Sequence, residues 1–186
     1  MKRLASVVLL VAVLAGCGGT DDSLDRAVGL RAKLLAGEGC TFDAVITADY
    51  GDGTSEFSIA CSVDTQGTVG FTVTEPETIA GIIGSLSGEG GKLTFDDTAL
   101  AFGLLADGQV TPVSAPWLLV KTLRGGYVTS CGMDGELLRV SIDDSYEDDA
   151  LHLDIWLDGA DAPVRAEVLY KDRRILSMEI KNFQIL

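Results

Sequence analysis

Four cysteines, a single histidine and one dense run of acids are the residues of this chain equipped for chemistry. Cys17 closes the tetrapeptide Leu14-Ala15-Gly16-Cys17. The small residues at 15 and 16 admit a peptidase to the backbone, and the thiol that follows is a nucleophile for a diacylglycerol group. His152 is followed by Asp154 on the same side of an alternating segment, an arrangement a general base would use. No serine or cysteine is tied to it by a motif, and no Gly-x-Ser-x-Gly elbow occurs, so His152 reads as a polar-face histidine beside Asp154 and Trp156. The run Asp143-Asp144-Ser145-Tyr146-Glu147-Asp148-Asp149 has the carboxylate density of a Ca²⁺ site. Its spacing fits no standard calcium loop, and a solvated acidic loop is the stronger reading. Gly88–Gly91 lacks the Lys-Ser/Thr of a phosphate loop, and there is no Cys-x-x-Cys pair for zinc or disulfide exchange. The chain is thus expected to be no enzyme, with no catalytic residue, no metal and no cofactor.

What precedes Cys17 is an export pattern. Met1-Lys2-Arg3 is positive, and Leu4–Ala15 is apolar except for Ser6. That stretch is shorter than the about 20 residues a membrane-crossing helix needs. It fits the apolar region of a signal peptide ending in a bacterial lipobox. The expected organisation is a lipoprotein signal peptide at 1–16, a lipidated Gly/Asp-rich tether at 17–22 and one domain at 23–186. The location follows: outside the cytoplasm, held to the cell membrane by lipid on Cys17. With a formal charge of -14 and no basic stripe, a nucleic-acid partner is excluded. Loss of Lys2 and Arg3 makes the chain more acidic still, so the body is expected to stand off anionic headgroups.

The elements behind these residues read as follows. Asp21-Asp22-Ser23 offers caps to a helix at 23–36, with Leu24, Ala27, Val28, Arg31, Leu34 and Leu35 at helical spacing and Gly37 as its stop. The period then becomes two. Cys40, Phe42, Ala44, Ile46 and Ala48 share one strand face; Phe57, Ile59 and Cys61 share the next. The loop Thr65-Gln66-Gly67 has the parity that brings Val69, Phe71 and Val73 onto that same face. Pro76 is placed to open a second helix with Ile79, Ile82, Ile83 and Leu86 as its stripe, ended by Gly88–Gly91. Short strands follow at Lys92–Asp96 and Ala99–Leu104, then a helix at 115–124 behind Pro116. Tyr127–Met133, Glu136–Asp143, Ala150–Leu157, Val164–Lys171 and Arg174–Phe183 complete the pattern as strands. The fold class is α+β: a curved antiparallel half-barrel sheet of about ten strands, with helices covering its concave apolar face.

This order of elements resembles the lipoprotein-carrier superfamily typified by LolA and LolB, over most of Thr20–Leu186. The lipobox, the N-terminal helix, the three strands, the middle helical lid and the closing meander carry the resemblance. So does Ala162-Pro163-Val164-Arg165-Ala166-Glu167-Val168-Leu169-Tyr170, where a proline enters the penultimate strand and a charged turn leads into Ile175–Phe183. The resemblance implies an incomplete barrel closed by helices over a hydrophobic cavity. Surface lipoproteins of Gram-positive bacteria share the pattern, and some support sporulation or envelope enzymes. Carriers lock the lid with an arginine, a role the resemblance does not assign to Arg124 or Arg139.

Apolar residues wrap most of the circumference of the 115–124 helix, which makes it deeply buried or the lid of a cavity. With the resemblance, Trp117, Leu118 and Leu119 join Ile79, Ile82, Ile83 and Phe102 as the lid and lining of a lipid-sized pocket. A filled core is the other reading of the same residues. The expected function is binding of a lipid or acyl chain by a membrane-anchored lipoprotein. The alternative is a non-catalytic structural or regulatory module partnering an envelope or sporulation protein.

With Cys17 lipidated, Cys40, Cys61 and Cys131 remain, an odd number. A turn centred on Gly51-Asp52 sets Phe42 opposite Cys61 and Cys40 diagonally across. A small register shift would bring Cys40 and Cys61 within disulfide reach, leaving Cys131 as the unbridged thiol. Three reduced cysteines acting as small hydrophobes is the alternative.

Overall fold

The computed structural model describes residues 22–186 apart from 50, 52, 96, 97, 103, 104, 107, 108 and 149, and for 95–110 gives the backbone only. Helix α1 (Asp22–Ala36) opens on acidic side chains and ends near Lys33, in keeping with the helix dipole. Six strands follow as a meander: β1 (Cys40–Asp49), β2 (Thr54–Val63), β3 (Val69–Glu75), β4 (Ile83–Ser87), β5 (Gly90–Phe95) and β6 (Thr98–Phe102). A two-stranded ribbon, β7 (Leu105–Ala106) with β8 (Gln109–Val110), leads through a 3-10 turn (Pro112–Ser114) into helix α2 (Ala115–Gly125). A second meander closes the chain: β9 (Tyr127–Asp134), β10 (Leu137–Asp143), β11 (His152–Leu157), β12 (Pro163–Tyr170) and β13 (Arg173–Ile185).

The two meanders form one curved, open, antiparallel sheet of eleven strands, ordered β6-β5-β4-β3-β2-β1-β13-β12-β11-β10-β9. The first and last strands therefore pair in its middle, from Cys40 opposite Ile185 to Ala48 opposite Leu176. Alternation does the sorting. Phe42, Ala44, Ile46, Ile59, Val140, Ile142, Leu153, Ile155, Val168, Leu176 and Met178 face the concave side and are buried. The helices lie on that side: Ala27, Leu30 and Leu34 of α1 and Leu118, Leu119, Val120 and Leu123 of α2 join the same core. The register read from parity is the one formed, with Val63 opposite Val69, Cys61 opposite Phe71 and Ile59 opposite Val73. Gly67, at φ +82, takes the left-handed place in that hairpin loop.

Two expectations are corrected. The segment after Pro76 is not a helix; hydrogen-bonded turns lead into strand β4, antiparallel to β3 and β5. Gly81 and Gly84 interrupt the helical stripe and weaken helix propensity, and in strand period Gly84 and Leu86 fall inside while Ile83 and Ser85 fall outside. The disulfide is the second. Cys40 and Cys61 are free thiols. Phe42 stands opposite Cys61, as the parity demanded, and Cys40 stands opposite Val63. Diagonal partners lie about 7–8 Å apart, beyond disulfide reach without backbone movement. Burial pushes the Cys40 thiol up to about 11 against a smaller lowering by Arg124, and burial raises Cys61 further. Both act as small core hydrophobes. Cys131 is half-buried on β9, opposite Val140.

Gly84 separates strand from helix by sign. A Cβ there would overlap the ring of the buried Phe71. Gly84→Ala should destabilise by about 1–3 kcal/mol in urea titration, as overpacking does. Stabilisation by about 0.5–1 kcal/mol, the effect in an unhindered helix, would contradict the strand.

Candidate functional site

The concave face is where one side of the molecule is uniformly apolar, and α2 is its cover. Pro116 sits in the first turn and Thr122 Oγ1 returns 2.7 Å to the Leu118 carbonyl, so the helix buries its one central hydroxyl. Its buried side holds Leu118, Leu119, Val120 and Leu123; Trp117 is half-buried against the core, with Lys121 Nζ 5.3 Å from its ring centre.

Arginines fasten this cover. Arg31 of α1 donates from Nε to the Leu123 carbonyl at 2.8 Å and from Nη2 to those of Thr122 and Gly126 at 3.2 and 2.8 Å. These carbonyls lie at the C-terminus of α2, where a cation is favoured; that of Thr122 also accepts the Gly126 N–H at 2.8 Å. Arg124 answers in the other direction. It donates to the Leu34 carbonyl of α1 at 3.2 Å and to the Thr65 carbonyl of the β2–β3 loop at 2.7 Å. Arg26 ties α1 to the β11–β12 turn through Asp161 Oδ1 at 2.7 Å and the Asp158 carbonyl at 2.8 Å. By spacing alone Arg31 is one member of the helical stripe of α1, with no role attached to it. An arginine one turn from apolar neighbours was the available signal, but its acceptors lie far along the chain.

The residues expected to line a pocket are brought together only in part. Leu118 and Leu119 are buried in the core, and Ile82 and Trp117 pack on it. Ile79, in the turns before β4, and Ile83, on the outward side of β4, are 38% and 56% exposed. Cys17 and the side chain of Phe102 lie outside the described residues. A cleft of about 510 Å³ opens elsewhere, between Phe57, Pro76, Glu56, Glu75 and Glu77. Its rim of carboxylates does not suit an acyl chain.

The convex side carries the polar network. His152 Nδ1 is 2.7 Å from Asp143 Oδ1, and its Nε2 is 3.4 Å from Asp154 Oδ1. Asp154 is buried and accepts from Ser141 Oγ at 2.6 Å and Arg139 Nη2 at 2.5 Å. Burial pushes its carboxyl up, but the hydrogen bonds from Arg139 and Ser141 and the Arg139 charge prevail and hold it below the usual range. Trp156 lies between Arg139 and Arg165, 5.7 and 4.4 Å from its ring centre, and donates to Asp134 at 2.8 Å. This histidine is the polar-face residue the sequence indicated. Asp144, from the acidic run, binds Lys121 at 2.9 Å and caps the Leu151 N–H. No group of His, Cys, Asp and Glu among the described residues is placed to hold a metal ion.

No protein-family model matches the chain, and no curated protein matches it. Solved structures do. A LolA superfamily protein from Nitrosomonas europaea shares 7% identity, with 86% of this chain and 93% of that one covered and a TM-score of 0.44. The chain is similar to LolA-superfamily proteins in fold. LprF from Mycobacterium bovis shares 11% identity over 88% and 93% of the two chains, with a TM-score of 0.45. The lipoprotein LppX from Mycobacterium tuberculosis shares 12% over 88% and 96%, with a TM-score of 0.42.

Two substitutions test this half-barrel's fastenings. Arg31→Met should cost about 2 kcal/mol, since it strips a charged donor from partly buried carbonyls, and should speed amide exchange in α2 before β1. Unchanged exchange in α2 would remove Arg31 from the fastening. Asp154 has a lowered folded pKa, so its contribution is full above the ordinary carboxylate range and lost as pH falls through that lowered value. Asp154→Asn should flatten the acid limb of the stability–pH profile; an unaltered limb would show that other carboxylates set it.

Proposed function

We propose that this protein is an extracytoplasmic lipoprotein, anchored through acylated Cys17, that binds a lipid or acyl chain against the concave face beneath α2. The observation supporting this is the way the cover is attached. Helix α2 rests on an apolar face and is fastened by arginine donors to backbone carbonyls. Release of these arginine donors leaves carbonyls that water can take over; α2 also has one tie to a carboxylate, Lys121 Nζ to Asp144 Oδ2 at 2.9 Å. Lifting α2 would uncover the apolar sheet face on which Leu118, Leu119 and Leu123 rest. The lipobox and the short positive region before it support the anchor. The reading includes no catalytic step: in the His152 network the Ser141 hydroxyl donates to Asp154, which His152 Nε2 also faces.

A second reading draws on a specific observation. Leu86, Leu119, Leu138 and Ile155 are fully buried, so the apolar face is closely packed at these positions. A packed half-barrel that partners an envelope protein fits that equally, and differs in what happens when an acyl chain is offered.

Titration with a fluorescent fatty acid decides between them. Binding should shift Trp117 emission, and Trp117→Phe should abolish the shift while leaving probe binding in place. No binding at saturating probe favours the packed module. The anchor is checked separately: a palmitate analogue should label the wild type and not Cys17→Ala, and equal labelling refutes it.

A further inference from the structure

Helix α1 has two apolar faces, and the fold uses one. Ala27, Leu30 and Leu34 are buried in the core. Leu24, Val28 and Leu35 share one sequence stripe with Ala27 and Leu34, yet they are 46%, 52% and 55% exposed. At helical spacing these three align with one another on a separate outward stripe. Ala32, also exposed, lies at its margin. The one cation in the stripe, Arg31, is turned aside onto the carbonyls of α2. Three large aliphatic side chains in line on a solvent-facing helix mark a surface with a partner.

Chain length indicates which partner. If Cys17 is acylated, only residues 18–21 separate it from the start of α1. At about 3.5 Å per residue, Asp22 then stays within about 18 Å of the lipidated residue. The helix cannot leave the neighbourhood of the bilayer, and the stripe begins in its first turn. We propose that the Leu24–Val28–Leu35 stripe of α1 rests on the lipid surface, laying the half-barrel down beside its anchor. This rests on the anchoring proposed above. Asp22 and Asp25 flank the start of the stripe, and the whole chain is acidic, so the contact is apolar and opposed by anionic headgroups. It weakens as anionic lipid is added and recovers when salt screens the repulsion, the reverse of a basic peripheral protein.

The test uses the full acylated chain reconstituted in phosphatidylcholine vesicles, with acylation verified by mass. Val28→Trp is compared with Lys33→Trp, on another side of α1, and with the wild type, in lipid with brominated acyl chains. The expected result is at least twofold stronger quenching for Val28→Trp than for Lys33→Trp, reduced by added phosphatidylglycerol and restored by salt. Equal quenching of the two variants in acylated protein overturns the stripe and leaves the anchor standing. A chain without acyl mass overturns both. A dimer in sedimentation that Leu24→Glu with Leu35→Glu dissociates would show that a second copy covers the stripe, and also overturns the proposal.

Discussion

The chain leaves its sheet at one edge, β6, and must re-enter at the other, β9. At about 4.8 Å per strand, eleven strands set those edges about 48 Å apart along the sheet. Residues 103–126 have to make that passage, and the curved sheet gives them the concave side as the short route. The cover over the apolar face is thus a consequence of topology. It explains why α2 is apolar around most of its circumference: one side meets the sheet and another meets α1.

A segment stretched between two edges needs to be fixed along its way. The fixing is done by guanidinium groups on main-chain carbonyls, with Arg31 and Arg124 reaching in opposite directions across the two helices. Arginine suits this because its donors fan out in a plane and its charge complements a helix C-terminus. On the outer face of the same sheet the chemistry differs. There Asp154, Arg139, Ser141 and Asp143 hold β10 to β11 through side chains, and Trp156 is packed between two guanidiniums. The outer face is tied by side chain to side chain, whereas the helices are tied mainly by side chain to backbone, with Arg26–Asp161 and Lys121–Asp144 as their side-chain pairs.

Under the proposed anchoring, the orientation of α1 would couple these features to the membrane. The helix closes the barrel with one face and offers aliphatic groups outward with another, while its arginines reach the cover and the β11–β12 turn. In the proposed arrangement, the lipid surface lies against the helix that also carries a fastening of the cover. Negative charge over the rest of the body then limits how much of it approaches the headgroups.

The strands of both meanders other than β4, the span of α1 and α2, and the register of β1 to β3 were legible from the sequence, because period two and loop parity are local properties of Cys40–Val73 and of the segments after Gly126. The strand at Ile83–Ser87 was not. Its apolar residues satisfy a helical stripe as well as a strand, and only the presence of Phe71 and Leu93 on either side of Gly84 selects the strand. Nor did spacing tell that Leu24 and Val28 face outward while Ala27 and Leu34 face the core, since the stripe is broad enough to split between two environments. The cysteine pairing failed for a related reason: parity gave the correct face and register, but a diagonal places the sulfurs too far apart. Local alternation is fixed by backbone geometry and can be read in order along the chain. The acceptors of Arg31, the exposure of Ile79 and Ile83, and the pairing of first strand with last belong to residues distant in sequence, and only the assembled sheet decides them.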